Sequence, residues 1–147
     1  MHKIGIIVDS FSASQLTYTF LKQANSLLER RSDIAIYGFF ENLNKPVTNP
    51  NFALMNLTEV YGFDGIVVAT NCLQAYQILN YPGPKRKLLY AYDVDWKRNN
   101  GLPAEFFLET FKSFEIWTRG EDYKRLIDSL FNVDSKVNET FDVEKFL

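Results

Sequence analysis

Two aspartates one residue apart, Asp93 and Asp95, follow the apolar run Leu88 to Tyr92 and form the most chemically loaded pair in the chain. At this spacing one carboxylate can hydrogen-bond an acceptor hydroxyl or take its proton as general base, while the other caps the turn. A divalent cation held against a diphosphate is the lesser reading of the same pair, and no metal or other cofactor is expected. Further polar groups stand directly after other apolar runs: Asp9-Ser10, Phe40-Glu41-Asn42, Thr70-Asn71 and Thr118-Arg119-Gly120-Glu121. Carboxylates, hydroxyls and amides in this combination suit a polar, hydrogen-bonding ligand such as a sugar. Asp93 and Asp95 are therefore the catalytic candidates, and Asp9, Ser10, Thr70, Asn71, Arg119 and Glu121 the substrate-binding ones. Arg119 has two readings: a fork onto a phosphate or carboxylate, or an ion pair with Glu121, Asp122 or Asp93.

Other chemistries lack their residues. The turn after the first apolar run reads Asp9-Ser10-Phe11-Ser12-Ala13-Ser14, with none of the glycines that let a backbone close on a pyrophosphate. A carboxylate there would also repel an anion, which argues against a dinucleotide-dependent enzyme. His2 is the single histidine and precedes the first strand, at the wrong end of a sheet for a serine or cysteine triad. Cys72 is the single cysteine and reads as a small buried helix residue, and no disulfide framework can form. A receiver-type phosphoacceptor fails because Asp9 has no acidic neighbour and Ala69-Thr70 occupies the middle-strand position. The cluster Lys85-Arg86-Lys87 precedes a strand and reads as a solvated turn at the far end of the sheet. The two Asn-x-Thr sequons, at Asn56 and Asn138, carry little meaning without a secretion signal.

The elements that must position these groups alternate. Ile4–Val8 is a β-branched run of the kind buried on both faces. A helix follows through Leu16, Phe20, Ala24, Leu27 and Leu28, with Ser12 and Gln15 fitting a capping box. A strand covers Ile34–Phe40, a loop 41–50, and a short helix is predicted to open at Asn49-Pro50 with Leu54, Leu57 and Tyr61 along it. Ile66–Ala69 is a strand, 71–80 a helix, Leu88–Tyr92 a strand, and Pro103 opens a helix bearing Phe107 and Phe111. Phe114–Trp117 is a strand, and Thr118 with Glu121 suggests a second capping box before an amphipathic helix through Tyr123, Leu126, Ile127, Leu130 and Phe131. A last short strand is expected at Lys136-Val137. Strands alternating with helices predict an α/β three-layer sandwich. Its mostly parallel, Rossmann-like sheet would have five to six strands, with helices on both faces. In such sheets ligands bind beyond the carboxyl ends of the strands, where the polar groups above would gather. Residues 1–141 read as this domain and 142–147 as a C-terminal tail or the remnant of an interdomain linker.

Composition bounds the rest. The chain has 147 residues, 46% hydrophobic and 16% aromatic, enough for one ordinary domain with its own core; most of the aromatics are expected in that core. A formal net charge of −2 argues against a nucleic-acid partner, since such binders usually carry a basic face. No apolar run reaches the length of a membrane span, and a cytoplasmic location is expected.

Three segments resemble one family. Tyr90-Ala91-Tyr92-Asp93-Val94-Asp95-Trp96 is similar to an aromatic–acidic stretch of bacterial and phage glycosyltransferases. Ile116-Trp117-Thr118-Arg119-Gly120-Glu121-Asp122-Tyr123 is similar to their strand-to-helix segment, and Val137-Asn138-Glu139-Thr140-Phe141-Asp142 to the stretch that closes their N-terminal domain. The resemblance is to the N-terminal, acceptor-side domain of the GT-B glycosyltransferases. It implies that Asp9, Ser10, Asp93, Asp95 and Arg119 line a cleft for acceptor binding and base chemistry. It also implies that the sugar donor is held by a second domain, expected in another chain, so the chain is not expected to be active alone. A carbohydrate is the acceptor this implies, and a second copy of the chain is a further candidate partner. The competing reading is a non-catalytic Rossmann-like module that binds a small ligand or a protein.

Overall fold

The computed structural model of the chain describes residues 1–10, 14–42, 46, 48–93 and 104–147. The β-branched run near the amino terminus forms β1 (His2–Ser10), flanked by β2 (Ile34–Asn42) and β4 (Ile66–Ala69). Beyond β2 lies β3 (Ala53–Asn56); beyond β4 lie β5 (Arg86–Ala91), β6 (Glu115–Thr118) and β7 (Lys136–Val137). The seven strands run β3-β2-β1-β4-β5-β6-β7, every neighbouring pair parallel. The expected α/β Rossmann-like sheet is present, with one strand more than the six predicted.

Helices α1 (Gln15–Arg30), α2 (Cys72–Ile78), α3 (Ala104–Ser113) and α4 (Glu121–Phe131) complete three layers. Strand alternation decides which layer each residue meets. Ile4, Ile6 and Val8 turn to Phe20, Leu21, Ala24 and Leu27 of α1. Ile7 and Phe39 turn the other way, into a core with Cys72, Ala75 and Ile78 of α2, Phe111 of α3, and Ile127 and Phe131 of α4. Gly5 faces this second layer, and a Cβ there would lie 2.4 Å from the Phe39 ring; its missing side chain is what lets that ring lie over β1.

Three local expectations are corrected. No helix opens at Asn49-Pro50: residues 53–56 pair with β2, Tyr37 opposite Ala53 and Phe40 opposite Asn56, before a 3-10 helix over Leu57–Gly62. The spacing of Leu54, Leu57 and Tyr61 is helical, but pairing along the β2 edge overrides so short a signal. Helix α1 is capped by Ser14, whose Oγ accepts from Thr17 N–H at 3.1 Å; Ser12 lies outside the described residues, as does Pro103 before α3. Helix α4 has Gly120 at its N-cap with no side-chain cap, because Thr118 donates its hydroxyl to Gly120 O and Lys136 O instead.

Residues 142–147 fold back under the sheet. A 3-10 turn over Val143–Phe146 buries both of those side chains against Tyr90, Trp117 and Phe141. The reversal passes through Phe141, a non-glycine residue in the left-handed region (φ 53°). Fully buried Asn138 holds it, exchanging hydrogen bonds of 2.9 Å with the backbone of Asp142 in both directions. Arg86 donates to Phe146 O and Leu147 O and pairs with Glu115 at 2.9 Å, and Arg31 reaches Glu144 at 2.6 Å. Lys85 pairs with Asp64, and Lys87 donates to Leu79 O, so the basic cluster ties this end of the sheet together.

Glu115 gives that end a pH dependence. Burial disfavours its charge, yet hydrogen bonds from Lys136, Arg86 and Trp117 hold its carboxyl at about 2. A depressed folded-state value contributes stability that is present above the ordinary glutamate range and lost as pH falls from about 4.5 toward 2. The urea midpoint of the wild type should therefore drop more steeply than that of Glu115→Gln between pH 6 and pH 3. Parallel curves for the two proteins would contradict this.

Candidate active site at the strand reversal

The chain runs outward from β1 to β3 and then returns to β4 on the other side of β1. Such a reversal leaves a crevice beyond the carboxyl ends of the two central strands, and Asp9, Thr70 and Asn71 meet there. Asp9 Oδ1 accepts from Asn71 Nδ2 at 2.8 Å and from Gln74 Nε2 at 2.7 Å. Asn71 is also the N-cap of α2, its Oδ1 accepting from Gln74 N–H at 2.8 Å. Fully buried Gln74 uses its other end on Thr70, Oε1 accepting from the Thr70 N–H at 3.1 Å and from its hydroxyl at 3.2 Å. The Thr70 hydroxyl also lies 2.7 Å from Ile7 O. Both ends of Gln74 are committed, so its amide has one orientation and its N–H₂ must face Asp9. Asp9 is exposed, and its Oδ2 carries no hydrogen bond from the described residues.

Glu41 ends β2 beside this carboxylate. The pairs Val8–Phe40 and Ser10–Asn42 bracket it, which puts Glu41 opposite Asp9 with both side chains on the α2 face of the sheet. Its carboxyl is pushed up, first by burial and then by the charge of Asp9.

A second polar group lies across the sheet, beyond β5 and β6. The Arg119 guanidinium stacks over the rings of Tyr92 and Tyr123 at 4.6 and 4.5 Å and donates to the Tyr123 hydroxyl. Its pKa is raised, mainly by that hydrogen bond. No ion pair between Arg119 and Glu121 or Asp122 is found among the described residues. Beneath it, Tyr90 donates to Asn138 O at 2.7 Å, and burial pushes its phenol well above the usual tyrosine range.

The remaining candidates are placed as follows. Asp93 lies half-buried two residues past β5, and Asp95 lies outside the described residues. Ser10 is the last residue of β1, and Glu121 is exposed in the first turn of α4. His2 donates its backbone N–H to Asp33 O at the opposite end of the sheet, and Cys72 is fully buried. Sequence reasoning missed Gln74 and the two tyrosines around Arg119. A glutamine within the apolar stripe Cys72, Ala75 and Ile78, three residues after the cap Asn71, is the signal that could have revealed the first.

A cavity of about 450 Å³ lies elsewhere, walled by Tyr37, Met55, Tyr61 and Phe63 and reaching the starts of β1 and β4 at Lys3 and Asp64. Its size does not make it the site, because the fixed hydrogen-bonding groups converge at the other end of the strands.

No family model matches the chain, and no curated protein matches it in sequence. Solved structures do. An alpha-glucosyltransferase in complex with UDP and a 13-mer DNA containing an HMU base shares the fold with a TM-score of 0.55 at 13% identity, over 92% of this chain and 42% of that one. The fold is glycosyltransferase-like. A second complex with the same ligands matches at TM-score 0.55 and 15% identity, over 92% and 41% of the two chains. An alpha-glucosyltransferase with UDP-glucose and DNA containing an abasic site gives 0.55 and 14%, over 93% and 41%. The chain thus spans about two fifths of the length of the enzymes it is similar to.

This likeness overturns the exclusion of nucleic acid, because the solved structures that share the fold hold DNA. The exclusion rested on net charge, which sums the whole surface, whereas a phosphate strand is gripped by a few local groups. Among the described residues no helix is long and apolar enough to cross a membrane.

Proposed function

We propose that this chain is the acceptor-side half of a GT-B glycosyltransferase, its crevice receiving the hydroxyl to be glycosylated while a separate domain holds the nucleotide sugar. The observation that carries this reading is Asp9, fixed by two amides at the strand reversal of a glycosyltransferase-like sheet, with no hydrogen bond to its Oδ2 from the described residues. A pre-positioned carboxylate binds a hydroxyl donor without first losing its own freedom. Asn71 and Gln74 hold that carboxylate in place, Thr70 fixes the Gln74 amide from its other end, and Ser10 adjoins Asp9 in sequence. Asp93 and Asp95 are the carboxylates that the resemblance adds to the acceptor side, and Glu121 adds a further acceptor of hydrogen bonds beside Arg119. The acceptor class that fits the DNA-bound neighbours is a duplex with a hydroxymethylated base, presented by extrusion from the stack. Arg119, stiffened by two rings, then contacts a backbone phosphate.

A titration separates this from a non-catalytic module. The chain should bind a 13-mer duplex with one HMU base more tightly than the same duplex with thymine. Asp9→Ala should erase the difference, a loss of about tenfold for one charge-assisted hydrogen bond. Equal affinity of the wild type for both duplexes would sink the acceptor reading.

A further inference from the structure

We propose that Glu41 is the proton acceptor of this crevice, working beside an Asp9 that Gln74 and Asn71 hold in place; the assignment rests on the acceptor-half reading. Adjacent parallel strands lie about 4.8 Å apart, and residues at matching register put their side chains on one face. Val8–Phe40 and Ser10–Asn42 are such pairs, so Asp9 and Glu41 are forced side by side on the face that carries α2. Asp9 cannot swing away, since Oδ1 accepts from both amides. Glu41 is half-buried and forms no hydrogen bond or ion pair with any described residue. Asp9 is the described charged group that acts on it. Two neighbouring carboxylates in unequal environments divide acid–base roles, the less solvated one holding its proton more tightly. Burial and the Asp9 charge both push Glu41 that way, which makes it the stronger proton acceptor of the two.

In the step this implies, Glu41 takes the proton of the acceptor hydroxyl. An oxygen lone pair forms the bond to the anomeric carbon, and the bond from that carbon to the diphosphate oxygen breaks, its electron pair leaving with the diphosphate. Glu41 then returns the proton to solvent.

The test uses the chain together with the nucleotide-sugar domain that completes it, UDP-glucose as donor and an HMU-containing duplex as acceptor. Glu41→Gln, nearly isosteric at a strand end, should lower kcat by about a hundredfold or more, leave KM nearly unchanged and remove the acidic limb of the pH–rate profile. Asp9→Asn should move that limb to lower pH, which a purely structural role would not do. A Glu41→Gln protein with the wild-type rate and profile overturns the assignment and leaves the acceptor-half reading standing. No transfer by the wild type to any hydroxylated duplex overturns both. Independently, a carbon-13 titration of the Glu41 carboxyl in the chain alone should show a midpoint above the ordinary glutamate range that falls in Asp9→Asn. An ordinary, unresponsive midpoint overturns the pairing whatever the assay gives.

Discussion

Phe146→Ala is expected to destabilise the protein by about 3–5 kcal/mol, although the residue is the last but one of the chain. Its ring is completely buried, 5.3 Å from Trp117, 5.4 Å from Phe141 and 6.1 Å from Tyr90, in edge-on contacts. Truncation would open a cavity between β5, β6 and α1, and the surrounding strands cannot collapse to fill it. For a chain of this size the melting temperature should fall by roughly 6–20 °C. Phe146→Leu, which retains most of the volume, should lose much less. A melting temperature for Phe146→Ala within a degree or two of the wild type would show that the 3-10 turn is not part of the cooperative core.

The second large effect is expected at Gln74, where stability and site geometry depend on one amide. Gln74→Leu keeps the bulk but leaves the buried Thr70 N–H without an acceptor and removes one of the two donors to Asp9. A buried unmet polar group costs about 1–3 kcal/mol, more where a charge is involved, so a loss of roughly 2–4 kcal/mol follows. Gln74→Glu separates the two roles. It restores an acceptor for Thr70 but sets a buried carboxylate against Asp9. The pKa of that new carboxylate is raised in the folded state, by burial and by a like charge. Its stability contribution is then intact below the unfolded-state value near 4.3 and is lost as pH rises. Denaturant midpoints should place Gln74→Glu near the wild type at pH 4 and well below it at pH 7.5, with Gln74→Leu low at both. A Gln74→Glu midpoint that does not change relative to the wild type across this range would show that the amide does not face Asp9.

The pattern of the chain made most of this fold legible. Ile4–Val8, broken only by Gly5, and Ile66–Val68 are β-branched because both faces of their strands are covered, and the helical stripes of α1 and α4 match the layers they bury. What stayed illegible depends on partners distant in sequence. Strand β3 exists because the β2 edge is available to it, and Leu54, Leu57 and Tyr61 say nothing of that edge. The burial of Val143 and Phe146 depends on an Asn138 clamp and a left-handed Phe141 that no periodicity announces. At the site, the strand-end rule placed Asp9, Thr70 and Asn71 at one crevice, since each ends or follows a central strand. Gln74 was hidden because side-chain hydrogen bonding leaves no period. The nucleic-acid exclusion failed for another reason, that overall charge carries no information about where charges lie.

The central claim is that ligand chemistry occurs at the carboxyl ends of β1, β2 and β4, and at neither the aromatic cavity nor the basic cluster. Backbone and side-chain amide shifts recorded while an HMU-containing 13-mer duplex is added test this most directly. The account predicts that the largest changes fall on Asp9, Glu41, Asn71, the Gln74 side chain and Arg119, with Lys3, Tyr61, Phe63 and Lys85 unmoved. Changes centred on Lys3, Tyr61 and Phe63, with Asp9 and Gln74 silent, would contradict it.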